Sequence, residues 1–203
     1  MSRLVDSLPE PARVRDKKVI VLSRSRMGTF SLYQALAVLG YKPYHMAEAL
    51  KNGENDLIMM EQAMRCKFLG GGKPYGKPEF DKWLANYDAI IEIPQFFIPE
   101  FVDSYPDAKF ILTERDIDSW ATSFRNTAGK VFEDVRHFPW NVTRLLDPLI
   151  AAFCDANTTW DEVIFVTATL GQERRPGSQD QQKRINYRSA PGSRETTDHP
   201  CSW

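Results

Sequence analysis

The stretch KVIVLSRSRMGTFSL, residues Lys18–Leu32, decides the fold. Its opening, Lys18–Ser23, is a short apolar, β-rich run of the kind buried on both faces of a parallel sheet. Beyond the turn, Leu32, Ala35, Leu36 and Leu39 recur at helical spacing until Gly40 supplies a stop. A turn between a buried strand and a helix N-terminus presents unpaired backbone N–H groups and the positive end of the helix dipole, so it suits phosphate or sulfate. Within this turn Gly28 allows close backbone approach, Thr29 and Ser31 add hydroxyl donors, and Arg26 adds a positive charge with a bidentate fork.

The turn also excludes two common anion sites. The nucleotide-triphosphatase loop needs G-x-x-x-x-G-K-[ST], and this stretch lacks both the first glycine and the lysine. A dinucleotide fold needs G-x-G-x-x-G after the strand, which is absent as well.

Similar units recur downstream. DAIIEIP, Asp88–Pro94, reads as a strand, and PEFVDSYPDA after it reads as a short helix closed by Pro106. KFILTER, Lys109–Arg115, reads as a third strand, and DIDSWATSF from Asp116 as the capped start of a helix in which Trp120 and Phe124 pack into the core. Residues Glu54–Cys66 read as a helix, Phe68–Pro78 as a flexible loop, and His45 ends a further strand. Alternating units of this kind predict an α/β fold of three layers, P-loop-like, with a central parallel sheet flanked by helices.

Composition bounds the rest. A chain of 203 residues, net charge −1, with 42% apolar and 26% charged residues, fits one soluble domain and gives no support to nucleic-acid coating. No signal-like or membrane-length apolar segment is present, so the expectation is a cytoplasmic protein with no membrane partner. Cys66, Cys154 and Cys201 are widely spaced and odd in number, which argues for plain thiols, and no metal is required. From Gly171 the chain is rich in Arg, Gln, Ser and Pro with almost no apolar periodicity. The expected organisation is an N-terminal extension over 1–16, an α/β domain over 17–170 and a disordered tail over 171–203. The abrupt change after DEVIFVTATL fits an altered reading frame or retained intron as well as it fits a natural tail.

RSRMGTFSL resembles the P-R-T-G-T-T-S-L loop of the sulfotransferases, in particular the branch abundant in fungi, with Ser25, Met27 and Phe30 in place of Pro and two Thr. In that family the loop grips the 5'-phosphosulfate of the donor 3'-phosphoadenosine 5'-phosphosulfate (PAPS). The resemblance therefore implies donor binding by Ser25, Arg26, Met27, Gly28, Thr29, Phe30 and Ser31. FILTERDIDSWATSF is similar to the family's second element, a strand followed by an Arg and, eight positions on, a Ser that hold the 3'-phosphate; here these are Arg115 and Ser123. Glu92, two residues before Pro94, occupies the place of the catalytic histidine of the cytosolic sulfotransferases. The implied function is sulfuryl transfer from PAPS to a hydroxyl of a small-molecule acceptor, with Glu92 and Arg26 as the catalytic pair.

Each of these residues has a plainer reading. Arg26 is also what an ordinary surface loop would carry, Glu92 a carboxylate that caps a helix or pairs with a cation, and His45 either an acceptor-orienting group or a satisfied structural histidine. The resemblance runs from Lys17 to about Leu170, and the family's further helix and W-x-P-L-like region are not visible after it. An impaired or truncated relative that binds a nucleotide or partner is therefore the alternative, ahead of a kinase or hydrolase. Apolar surface left uncovered on the sheet's flank would favour self-association.

Overall fold

The computed structural model describes the backbone of residues 2–173 and side chains as far as residue 165. The segment 171–203, expected as a disordered tail, lies outside the described residues except for 171–173, which end a helix.

Four short parallel strands form the centre: β1 (Val19–Val21), β2 (Pro43–Tyr44), β3 (Ala89–Ile90) and β4 (Lys109–Ile111), in the order β2-β3-β1-β4. In register, Val19 lies opposite Ala89 on one side and Lys109 on the other. Strand residues alternate between faces, so the sheet carries two apolar clusters. Val19, Val21, Ala89 and Ile91 meet Leu36 on one face, whereas Ile20, Ile90 and Tyr44 join a larger core on the other.

Helices cover both faces, giving the expected three-layer α/β fold. Before β1 stands α1 (Leu4–Ser7); between β1 and β2 runs α2 (Thr29–Val38). Next come α3 (Met46–Asn52), α4 (Glu54–Phe68) and α5 (Lys77–Trp83), all before β3. A 3-10 turn, Ile93–Phe96, leads into α6 (Ile98–Ser104). After β4 the chain continues through α7 (Ile117–Phe124), a π turn at Arg125–Gly129, α8 (Lys130–Asp134), α9 (Trp140–Thr143) and the long α10 (Pro148–Glu173), which packs along α4. No described helix is long and apolar enough to cross a membrane.

Where the elements differ from the sequence expectations, the causes are local. The run Asp88–Pro94 pairs only at Ala89–Ile90, because Glu92 turns to φ 70° and Pro94 has no N–H to give a ladder. The run Lys109–Arg115 pairs only as far as Ile111, opposite the last residue of β1. Leu39, read as part of the apolar stripe of α2, is 72% exposed, since the helix ends at Val38 and Leu39 caps it from outside. The N-terminal extension is packed: Val5 is fully buried, and the Arg3 guanidinium donates to Glu79 at 3.0 Å and to the Lys73 carbonyl at 3.0 Å. That contact also ties down part of the loop expected to be flexible, whose Tyr75 is buried.

The main core is aromatic. Phe80 is fully buried, with its ring centroid 4.5 Å from that of Phe101 and 5.4 Å from that of Phe97. Phe80→Ala is expected to destabilise the domain by about 3–5 kcal/mol in urea unfolding, against a change within roughly 0.5 kcal/mol for Val38→Lys at a surface position.

Candidate functional site

The turn Leu22–Gly28 leaves the C-terminal end of the central strand, where open α/β sheets place their ligands. Gly28 adopts φ 80°, and no atom lies within 4 Å of where a Cβ would stand, so the left-handed backbone rather than crowding requires glycine here. Arg26 also lies in the left-handed region, at φ 70°. For a residue with a side chain that conformation costs about 1–2 kcal/mol, and surrounding bonds must impose it.

Those bonds come from one segment. Three successive carbonyls of the turn each accept a side-chain hydrogen bond from the β4–α7 region: Ser25 from Trp120 Nε1 at 2.9 Å, Arg26 from Arg115 Nη1 at 3.0 Å, and Met27 from Thr113 Oγ1 at 3.0 Å. Ser23 Oγ in turn accepts from Thr113 N at 2.8 Å. With the carbonyls so engaged, the first N–H groups of α2, at Thr29, Phe30 and Ser31, remain as donors without helical partners.

On the β4 side of the turn, the Arg26 Nε donates to Ser123 Oγ at 3.4 Å, and Arg115 and Ser123 line one open depression with Asp118, Ser119 and Thr122. The structure therefore brings Arg26 to Arg115 and Ser123, from which the sequence separates it by some ninety residues. Ser31 is exposed in the first turn of α2.

On the β3 side stands Glu92. Its buried carboxylate accepts from Ser25 Oγ at 3.2 Å and Thr29 Oγ1 at 3.0 Å on one oxygen, and from Met46 N at the longer 3.4 Å on the other. His45, the N-cap of α3, brings Nε2 to 3.3 Å from that second oxygen, within ion-pair distance but outside hydrogen-bond alignment. Because His45 Nδ1 accepts from Ala47 N at 3.1 Å, a neutral ring carries its proton on Nε2, facing Glu92. Burial pushes the Glu92 carboxyl up, but His45 and the Thr29 and Ser25 hydroxyls outweigh it and hold the group below its ordinary value. The Thr29 hydroxyl is thus turned to Glu92, while the backbone of α2 faces the turn.

Sequence reasoning missed three members of this arrangement: Trp120, taken as core packing, Thr113, and Gln95, whose Oε1 accepts from Ser25 N at 3.3 Å. The strand parity of residues 111, 113 and 115 carried a signal for Thr113. Nothing local marked the indole of Trp120 as a donor to the turn. Among the described residues, no group of three or more His, Cys, Asp or Glu is placed to hold a metal ion.

A parallel α/β sheet with a strapped turn at the C-terminal ends of its strands and an Arg–Ser pair beside it defines an α/β protein whose site offers the donors an anion needs. A model of the sulfotransferase domain matches residues 18–189, and the chain belongs to that family. One relative, "Ava biosynthesis cluster protein M" of Aspergillus versicolor, is 42% identical over 137 residues, which make up 67% of this chain and 51% of that protein. The chain therefore spans about half the length of that curated relative.

A depressed carboxyl links this site to pH. The native state holds fewer protons than the unfolded chain, so the Glu92 contribution is complete above its ordinary value of 4.5 and is lost as pH falls through the lower native value. In urea midpoints measured from pH 6 down to pH 3, the acid limb of Glu92→Gln is expected to be shallower than that of the wild type. At neutral pH the variant is expected to be less stable by roughly 1.5–3 kcal/mol, the range of a charge-assisted hydrogen bond.

Proposed function

We propose that the chain binds PAPS at the strapped turn and transfers its sulfuryl group to a hydroxyl of a small-molecule acceptor. The observation that carries this reading is the meeting of Arg26, Arg115 and Ser123 on one side of the turn while a buried carboxylate stands on the other. The residues fit such a donor: an arginine–serine pair suits a phosphate dianion, and the unpaired N–H groups of a ten-residue helix suit a second anion beside it. PAPS supplies the activated sulfuryl group. Arg26 would stabilise charge on the transferring group, and the backbone of Gly28–Ser31 would orient it.

Glu92 would take the acceptor's proton. Its two oxygens are not equivalent: the one facing Ser25 and Thr29 is committed to two hydroxyls, whereas the one facing His45 has only a long bond from Met46 N and an unaligned imidazole. The second oxygen is the base. A carboxyl held low is fully ionised at neutral pH, which secures the right protonation state at the expense of basicity.

A second reading, a relative that binds donor without turnover, is favoured by the burial of Glu92. A kinase or hydrolase is disfavoured, because the turn has no lysine. We place the protein in the fungal-type branch and in the cytoplasm, where buried free thiols at Cys66 and Cys154 fit a reducing compartment. The outer edge of the sheet exposes Phe110 and Leu112, a surface on which the isolated chain would self-associate.

Adenosine 3',5'-bisphosphate is expected to raise the melting temperature and ATP with magnesium is not. A larger shift with ATP would overturn the donor assignment. Arg115→Ala is expected to abolish most of the bisphosphate shift, since it removes both a charged partner and the bond to the Arg26 carbonyl.

For mechanism, Glu92→Gln retains an acceptor oxygen for Ser25 and Thr29, so the turn keeps its shape and bisphosphate binding by calorimetry persists. Sulfuryl transfer is expected to fall by about 100-fold or more. Unchanged turnover would make Glu92 a purely structural carboxylate.

A further inference from the structure

Phe30 is 52% exposed although it stands in the first turn of α2, directly after the anion turn. Its ring does not stand alone. It stacks on Tyr33 at 5.8 Å between centroids with an interplanar angle of 24°, meets His45 edge-on at 5.7 Å, and Tyr33 lies 5.4 Å from His45. Behind the rings, the Tyr33 hydroxyl donates to Glu48, which Lys51 holds at 2.7 Å, and His45 is fixed by its bond from Ala47 N. The result is a rigid three-ring surface, open to solvent at Phe30.

Its place along the sheet edge gives it a use. Moving from β4 towards β2 along the sheet's C-terminal edge, the order is Arg115 and Ser123, the anion turn, Glu92, then His45 with its partner rings. A sulfuryl group held at the turn is therefore flanked by the donor's anchors on one side and by the rings on the other, which is the arrangement an in-line displacement needs. The Glu92 oxygen with fewer partners is also the one that faces His45.

We propose that Phe30, backed by Tyr33 and the buried His45, forms the acceptor platform, and that the acceptor is a planar aromatic compound bearing a phenolic hydroxyl. This rests on the sulfuryl-transfer reading above. The platform presents π surface, which recognises rings by stacking and edge contacts that a saturated skeleton cannot make. The nearby base selects in the same direction. A carboxylate buffered by several donors is a weak base, and a phenol gives up its proton far more readily than an aliphatic alcohol.

The test uses 2-naphthol and its saturated counterpart, decahydro-2-naphthol, as binding probes for the full chain, with affinities from saturation-transfer NMR titration. The expected result is that 2-naphthol binds more tightly than the saturated alcohol and that Phe30→Leu and Tyr33→Leu each weaken it about three- to tenfold, the span of one aromatic contact. Equal binding of the two probes, or naphthol binding unaltered in both variants, overturns the platform. Should either variant fail to fold by circular dichroism, the comparison of the two probes on the wild type decides alone. Because binding is read without PAPS, the two readings fail separately. A chain that prefers 2-naphthol but gives no melting shift with adenosine 3',5'-bisphosphate keeps the platform and loses the donor assignment, and the reverse result does the opposite.

Discussion

Three consecutive carbonyls, those of Ser25, Arg26 and Met27, are held by Trp120, Arg115 and Thr113, and the site depends on that strap. A short loop at the end of a strand has many conformations, and a left-handed arginine is not the one it would choose unaided. Each donor reaches a different carbonyl, so the three bonds fix the path of the chain rather than one point on it. Two of the donors, the indole of Trp120 and the side chain of Thr113, have their partners within the fold. The third, Arg115, has further N–H groups in its planar fork beyond the one used, so a single side chain can shape the turn and still face the depression where Ser123 lies.

Glu92 closes the turn from the opposite side and is itself held in an unusual backbone state, φ 70°. Two residues with side chains and positive φ, Arg26 and Glu92, thus stand at one site, and Glu92 is the centre of a tight turn closed by Ile93 N donating to the Ile91 carbonyl at 2.9 Å. Strain gathered at one place is usual for functional sites, and here its repayment can be named: Glu92 gains two hydroxyl donors and a main-chain N–H, Arg26 a carbonyl bond from Arg115. His45 joins this set through its second nitrogen. The bond from Ala47 that caps α3 also decides which ring nitrogen carries the proton, so a feature of helix capping reaches the carboxylate of the site.

The sequence made the frame legible because the frame follows from local pattern. Lys18–Ser23, Gly28 and the stripe on α2 define strand, turn and helix, and Asp116 marks the start of α7, where its side chain accepts from Ser119 N. The pairing of Arg115 with Ser123 was legible too, because eight residues bring a strand end and the second turn of a helix to one place. What stayed hidden is what depends on tertiary placement. Trp120 has the same i, i+4 relation to Phe124 whether its nitrogen is buried without a partner or bonded to the turn. His45 looked like the end of a strand, and only the fold shows that it caps α3 within 3.3 Å of Glu92. The ring surface was equally invisible, since Phe30, Tyr33 and His45 meet only when α2 and the start of α3 are laid side by side.

The strap has a consequence for stability within the site. Two of its donors, Thr113 and Arg115, come from the segment just after β4 and the third, Trp120, from α7; β4 is one of the sheet's two edge strands, with Lys109 and Phe110 exposed and Leu112 beyond them at 65% exposure. An edge strand paired on one side opens more readily than the central strand, which is paired on both. Thr113 and Arg115 therefore follow a strand paired on one side, whereas Trp120 is buried in the main core and Glu92 follows β3, which is paired on both sides. Opening of β4 would loosen the bonds to the Arg26 and Met27 carbonyls, while the Trp120 bond to Ser25 and the Glu92 carboxylate stay in place. The two sides of the turn are thus held by different parts of the fold: the carbonyls of Arg26 and Met27 by the segment after an edge strand, and the hydroxyls of Ser25 and Thr29 by a carboxylate that follows an inner strand.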